Sequence, residues 1–416
     1  MAKKSVDATN EKVNTYIPDD IVFSILSKLP LKSFKRFECV RKSWSLLFQN
    51  THFINMFRNN LLLSNSHRCS YYDGESLLLK IYEPHQEVLY SLSGEKFENK
   101  VKLDFSNPFA NQNYFHIFGF GSINGTLCIY DDECCYHILV LLNLRTNKFK
   151  VIPPSRVDLI ESSIPDVAKD NISIVVLAYL QGFGYDCVTD DYKIIRYVCF
   201  VCDVYGLEEK YVDSLLGDND ISLDPLWEIY SLRSNSWRKL DVNMPYSLEC
   251  TEGNQVYMDG VCHWLCEDHY ESDPFRPCLV LFYLSNEVFF ITPIPSDIDD
   301  CFDVGGSWIN LAVLNGSITL ISFHVDTTTF YISILGEIGI KESWTRLFNI
   351  GPLPYIRRPI GVGTKGEIFF TRKDKELAWF DLRTQTMEKL GYKAKNPNCR
   401  ITIYKENILP IGDITL

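Results

Sequence analysis

Four potential metal ligands lie close together at Cys262, His263, Cys266 and His269. Tetrahedral zinc needs four converging donors. This stretch, however, follows Asp259-Gly260, a strong hairpin signal, and reads as a strand. Side chains alternate along a strand, so Cys262, Trp264 and Cys266 share one face and His263 takes the other. Cys199-Phe-Val-Cys202 has the spacing of a redox pair, but no helix start follows it to lower a thiol pKa, and it too reads as a buried strand. The acids Asp131, Asp132, Asp190, Asp191, Asp297, Asp299 and Asp300 could supply an acid/base pair for glycoside hydrolysis. Each also sits where a solvated turn acid is expected. Gly182-Phe-Gly-Tyr-Asp186 lacks the lysine and the helix start of a phosphate loop. The expectation is a chain with no catalytic set, no metal and no cofactor.

The elements that would carry these residues fall into two parts. At 416 residues the chain exceeds the size of one growing core, so two units are expected. Aromatics make up 13% of it, which favours strands. The formal charge of −12 is unevenly placed: 16–60 holds seven Lys/Arg against three acids, 1–15 adds +1, and 61–416 therefore carries −17. An acidic body repels phosphate backbones and anionic lipids, so neither nucleic acid nor membrane is an expected partner. The N-terminus has no apolar core of signal-peptide length. The apolar run from Ile172 to Leu180 is about half of a membrane span. Fourteen Cys without a signal point to a reducing compartment, cytoplasmic or nuclear. Asn124 and Asn315 lie in glycosylation-type sequons but read as Asn-Gly turns.

Residues 1–15 are expected to be disordered and 16–60 helical. Pro18 suits the first position of a helix, with Asp19 and Asp20 at the positive end of its dipole. Ile21, Ile25, Leu26 and Leu29 then form one face, and Pro30 ends the helix. Phe34 and Phe37 mark a second helix, and Val40, Trp44 and Leu47 a third. So small a unit cannot bury all these side chains in itself. The surplus apolar surface must pack on the chain's own β body or meet another protein. From Pro18 to Trp44 the pattern Pro-x-Asp-Ile-x-x-x-Ile-Leu-x-x-Leu-Pro-x-Lys-Ser-x-x-Arg-Phe-x-x-Val-x-Lys-x-Trp resembles an F-box. Its departures are mild: Ile17 and Phe34 replace the usual Leu, and Arg41 a common Cys or Ser. The resemblance implies docking to a Skp-family adaptor and through it to a cullin. By that analogy Pro18, Ile21, Ile25, Leu26, Leu29, Pro30, Leu31, Val40 and Trp44 supply apolar contact, while Lys32, Lys35 and Arg36 face an acidic surface.

Beyond about residue 70 short strands with turn punctuation take over. Asn124-Gly125, Asp259-Gly260 and Asn315-Gly316 each separate two apolar runs. A second unit recurs around Leu144, Leu232, Leu284, Leu335 and Leu382, at gaps of 88, 52, 51 and 47 residues. The long first gap leaves room for a further copy at Tyr185–Tyr197. A period of this size with two hairpins per unit predicts propeller blades. A fragment at 77–104 together with Ile401–Tyr404 would close the ring, giving about six blades. A large irregular β-sandwich is the alternative.

Four features of this region resemble the F-box-associated domain of plant F-box proteins, including the S-locus type. They are Gly182-Phe-Gly-Tyr-Asp186 with Asp190-Asp-Tyr-Lys193, His263-Trp264-Leu265, Lys341-Glu-Ser-Trp344 with Leu347, and Ile403-Tyr-Lys-Glu406. Asp303-Val-Gly-Gly-Ser-Trp308 resembles the Asp box of propeller sialidases, but Cys301 stands at its Ser position and it occurs once. Kelch repeats are unsupported, since Gly305-Gly306 is the sole Gly-Gly doublet.

The expected class is thus α+β multidomain: a three-helix F-box at 16–60, a linker and first strands at 61–109, and an all-β propeller-like domain at 110–410. The expected role is a non-catalytic substrate-recognition subunit of a Skp–cullin–F-box ubiquitin ligase with an unknown target protein. Two rivals stand beside it: a propeller-type glycoside hydrolase with a helical appendage, and an F-box protein whose binding role is not degradative.

Overall fold

The computed structural model describes residues 18–29, 37, 40, 42–47, 50, 52–53, 56, 75–83, 86–106, 108–109, 114–131, 138–163, 172–204, 222–247, 255–268, 276–295, 307–314, 316–324, 326–353, 355–394, 399–405 and 411. Among the described residues two helices, α1 (Asp19–Leu26) and α2 (Lys42–Ser45), precede twenty-five strands. The strands begin with β1 (Glu75–Glu83), β2 (Gln86–Ser93) and β3 (Asn99–Lys102). Next come β4 (His116–Ile123), β5 (Thr126–Tyr130), β6 (Leu139–Asn143) and β7 (Lys148–Val151), then β8 (Ile172–Asp186), β9 (Asp191–Val204), β10 (Leu226–Ser231) and β11 (Ser236–Leu240). The third group is β12 (Tyr246–Ser247), β13 (Val256–Met258), β14 (Val261–Asp268), β15 (Arg276–Tyr283) and β16 (Val288–Pro293). The fourth is β17 (Ser307–Leu314), β18 (Ser317–His324), β19 (Thr329–Leu335) and β20 (Trp344–Ile350). The fifth is β21 (Ile356–Val362), β22 (Glu367–Arg372), β23 (Glu376–Asp381) and β24 (Thr386–Lys393), and β25 (Arg400–Lys405) ends the series.

Each group after β3 is an antiparallel meander. The last strand, β25, pairs with β1 from Glu75↔Lys405 to Lys80↔Arg400, so β25-β1-β2-β3 form a sixth group from both ends of the chain. The inner strands of successive groups touch in the order β4, β8, β13, β17, β21, β25 and back to β4. Six blades therefore close a ring, with β25 joined to β4 by a parallel bridge, Ile403↔Gly121. The strands at 75–102 share a sheet with 400–405, so no boundary near 110 separates them from the rest of the β body.

Turn chemistry sets the meander. Asn124 and Gly125 sit at φ 48° and 78°, and Asp259 and Gly260 at 49° and 80°. Both pairs have positive φ at the two central positions, as a type I′ hairpin requires. Other hairpins are capped by a side chain: Asn143 Oδ1 accepts from the Arg145 and Thr146 amides at 3.0 and 3.1 Å, and Asp381 Oδ1 from those of Arg383 and Thr384 at 2.7 and 3.3 Å. Four residues beyond each cap stands a positive-φ residue, Asn147 and Gln385. Asp186 makes the same turn, accepting from the Val188 and Thr189 amides, with Asp190 at φ 53°.

That shared turn explains one correction. Tyr185–Tyr197 is not another blade; it spans the turn between β8 and β9, the inner hairpin of the second blade. The 88-residue gap arises because β8 and β9 run to 15 and 14 residues and their connections are long. Buried ion pairs pin this enlarged blade. Arg196 Nη2 donates to Glu228 Oε2 at 2.7 Å, Asp158 Oδ2 at 2.9 Å and Ser155 Oγ at 2.8 Å, and its guanidinium lies 4.2 Å from the Trp237 ring centroid. Lys193 Nζ binds Asp186 at 3.0 Å and reaches across to the Leu284 carbonyl of the third blade at 2.8 Å.

The seam beside β25 is tight. A Cβ on Gly361 would lie 2.5 Å from the Ile401 carbonyl oxygen, a backbone atom that cannot swing aside. Gly361→Ala is expected to cost about 1–3 kcal/mol by overpacking, read as a lowered midpoint in urea unfolding.

Candidate functional site

The helical head carries two apolar stripes rather than one. In α1, Val22 and Leu26 are four residues apart and both buried, Leu26 at 3% exposure. Ile21 and Ile25 have the same spacing on the neighbouring stripe and stand 48% and 52% exposed. Val22 and Leu26, with Leu47 and Phe53, belong to one continuous cluster of buried side chains that runs through the third, fourth and fifth blades. Phe23, Leu29 and Trp44 pack partly against it. Phe23 meets Phe53 edge-on at 5.9 Å, and Phe37 meets Trp44 at 6.0 Å. Phe37, Leu46 and Val40 are exposed, Val40 at 66%. The head thus packs inward through one stripe and keeps the other outward. Isolated exposed apolar side chains are ordinary, but a stripe of them is not.

The expected docking residues are accordingly divided. Ile21, Ile25 and Val40 face outward, Leu29 and Trp44 are half-buried, and Leu26 points into the core. Pro18 is not in the first turn: it caps α1 from outside with ψ 144°, and its carbonyl accepts the Val22 amide at 3.0 Å. An extended ψ there suits a residue that carries no N–H to place inside the helix. Pro30, Leu31, Lys32, Lys35 and Arg36 lie outside the described residues, as do most of the second expected helix and residues 1–15.

The described residues among those that suggested other chemistry make structural contacts. Cys262, Trp264 and Cys266 share one buried cluster. His263 lies on the opposite side, fully buried, its Nδ1 3.3 Å from the Val256 carbonyl, to which it donates. His269 lies outside the described residues, among which no three His, Cys, Asp or Glu side chains converge as metal ligands. Cys199 and Cys202 are in β9. Asp131 follows β5 and accepts the Ile138 amide at 2.7 Å. Asp190 accepts from the Tyr185 hydroxyl, and Asp191 from Ser231 Oγ and the Arg233 amide. Antiparallel strands return the chain between two rims. Asp131 ends an outgoing strand while Asp190 and Asp191 flank a hairpin turn, which puts them on opposite rims. Asp131 therefore cannot form an acid/base pair with either of them. Asp132, Asp297, Asp299, Asp300, Cys301 and Asp303 lie outside the described residues.

The two rims differ. One holds the short turns at 124–125, 187–190, 232–235, 259–260, 284–287 and 382–385. The other is the side on which β5, β9, β11, β14, β16 and β24 end, each followed by a longer interval in the sequence, and it also carries the short β22–β23 turn at 373–375.

Comparison with known proteins supplies the family. The model of the F-box associated beta propeller domain matches residues 80–409. The chain belongs to that family and is a plant F-box protein with an F-box-associated domain. F-box protein CPR1 of Arabidopsis thaliana is 24% identical over 91% of this chain and 84% of its own length. F-box protein At4g22390, from the same plant, is 23% identical over 76% of each chain. F-box/kelch-repeat protein At4g19930, also from Arabidopsis thaliana, is 28% identical over 68% of this chain and 58% of its own. Among solved structures, TolB from Acinetobacter baumannii superposes with a TM-score of 0.42 at 10% identity, covering 84% of this chain and 71% of that one, too distant to bear on function. Family membership fits the topology, since the matched span runs from β1 to beyond β25. Among the described residues no helix is long and apolar enough to cross a membrane.

Within this F-box-associated propeller, His263 gives a pH signature. Burial lowers its pKa from 6.5 to about 4. The unfolded chain binds that proton first, so the His263 contribution is complete above pH 6.5 and is lost as pH falls towards 4. The loss is expected to reach about 3 kcal/mol, measured as urea-unfolding free energy against pH, and His263→Gln should flatten the slope.

Proposed function

We propose that this protein is the substrate-recognition subunit of a Skp–cullin–F-box ubiquitin ligase. The head docks the Skp-family adaptor, and the propeller holds a target protein near the ubiquitin-loading enzyme. The contribution is proximity: holding a target lysine beside the loaded enzyme replaces a bimolecular encounter. The observation that carries this reading is the outward stripe of Ile21 and Ile25, left bare although Val22 and Leu26 beside it are already satisfied. Val40 is a further exposed apolar residue of the head, and Lys32, Lys35 and Arg36 would add the basic contacts. Target binding falls to the rim of long connections, where sequence can vary on a fixed scaffold.

The division of α1 decides which substitution tests this. Leu26→Asp would place a carboxylate in the core and unfold the head, so loss of binding would say nothing. Ile25→Asp changes an exposed side chain and is expected to cost the fold at most about 1 kcal/mol, from helix propensity and the dipole. A carboxylate buried unpaired at an interface costs several kcal/mol, so adaptor affinity should fall about a hundredfold or more. The measurement is co-purification and titration with a Skp-family adaptor; affinity unchanged by Ile25→Asp would refute the docking surface.

A further inference from the structure

The charge of the β body is not uniform. Residues 355–405, which make the fifth blade and β25, hold twelve Lys/Arg against five Asp/Glu, a net of +7. Since 61–416 carries −17, the rest of the body carries −24. One basic blade therefore stands in a strongly acidic ring.

Hydrogen bonds gather much of that charge at one place, on the rim of long connections. The Lys373 amide donates to the Tyr355 carbonyl at 2.8 Å, and the Ala394 amide to the Lys375 carbonyl at 2.8 Å. These bonds join the start of β21, the β22–β23 turn and the end of β24. Arg357, Arg358, Lys373, Lys375 and Lys393 are brought to one end of the blade. Arg357, Lys373, Lys375 and Lys393 are exposed, and Arg358 is half-buried. Two acids lie there, and both are engaged: Asp374 with Arg372 at 3.2 Å and Glu376 with Lys389 at 2.9 Å. Among the described residues no carboxylate lies within ion-pair distance of the other five cations. Burial lowers the pKa of Arg358, and the adjacent Arg357 guanidinium pushes it the same way. Five like charges on one rim raise the energy of the free protein, and an anionic ligand relieves that repulsion.

We propose that this end of the fifth blade is a docking site for an acidic peptide segment of the target. This rests on the reading of the propeller as the target-binding body and adds the chemistry of what it takes. Charge complementarity selects the occupant, and a short acidic segment fits one blade. A long nucleic acid would run from the patch onto an acidic surface and be repelled. Carboxylate and phosphate groups share this chemistry, and Arg357 and Arg358 present the forked donors that bind either bidentately.

The test uses the full chain bound to its adaptor and three fluorescent probes of equal charge: a Glu-rich peptide, a phosphoserine peptide and a single-stranded RNA. Anisotropy should show binding of one or both peptides, weakening as salt rises. Arg357→Glu with Lys373→Glu should weaken that binding at least about tenfold, since close charge pairs across interfaces carry that much coupling. Lys365→Glu with Arg383→Glu, on the opposite rim, should change it less than about twofold, since exposed distant charges are largely screened. Tighter binding of the phosphoserine peptide would identify phosphate as the preferred group, and equal or tighter binding of the Glu-rich one carboxylate. Equal loss in both variants, no peptide binding, or preference for the RNA would each overturn the proposal. Adaptor co-purification is read in the same samples, so failure here is separable from failure of the ligase reading.

Discussion

The pairing of β25 with β1 is the constraint on which the rest of the structure depends. Six residue pairs join strands more than 300 residues apart in sequence, and the parallel bridge from Ile403 to Gly121 carries the seam on to the next blade. Without it β1 and β4 would be open inner edges and the ring an arc. Charge is buried to hold the seam. Arg400 donates to the Ile117 and Gly119 carbonyls at 2.8 and 2.6 Å, and Lys80 to the Phe115 carbonyl at 2.8 Å. The Lys80 ammonium also meets Glu87 at 3.2 Å, with both side chains almost fully buried. Burial lowers the pKa of Arg400 to about 10. Satisfying such groups with fixed partners makes the closed ring specific, because any other register would leave them unpaired in the core.

Closure also fixes where the head can act. The chain enters the ring at β1, so the helical segment precedes a strand locked to the far end of the protein. Packing of Val22, Leu26, Leu47 and Phe53 into the cluster that runs through the blades then orients the head instead of leaving it on a loose tether. A rigidly held adaptor surface and a rigid target platform would keep the distance between the two partners constant. That is what a subunit acting by proximity needs.

Some of this was legible in the sequence and some was not, for physical reasons. The Asn124-Gly125 and Asp259-Gly260 hairpins were readable because few residue pairs tolerate two consecutive positive φ angles. The closing fragment at 77–104 with Ile401–Tyr404 was readable because a lone blade fragment needs an inner partner. The gap of 88 residues misled, because Asp186 builds the same capped turn as Asn143 and Asp381 although it lies in an inner hairpin. The inward direction of Leu26 was hidden, because the pairs Ile21/Ile25 and Val22/Leu26 have identical spacing and periodicity alone cannot say which stripe meets the core. The position of Pro18 outside α1 was equally hidden, since the cap and the first turn differ by one residue. The basic rim of the fifth blade was hidden because Arg357, Lys373 and Lys393, far apart in sequence, come to one end only through the pairing of β21 with β22 and of β23 with β24.

If the exposed stripe of α1 docks the adaptor and the propeller is a separate platform for the target, the two should respond differently to adaptor binding. Hydrogen–deuterium exchange on the full chain, with and without a Skp-family adaptor, tests that division most directly. The expected result is slowed exchange in peptides covering 18–47 and unchanged exchange across β21 to β24. Slowed exchange on the propeller rim, with the 18–47 peptides unaffected, would contradict it.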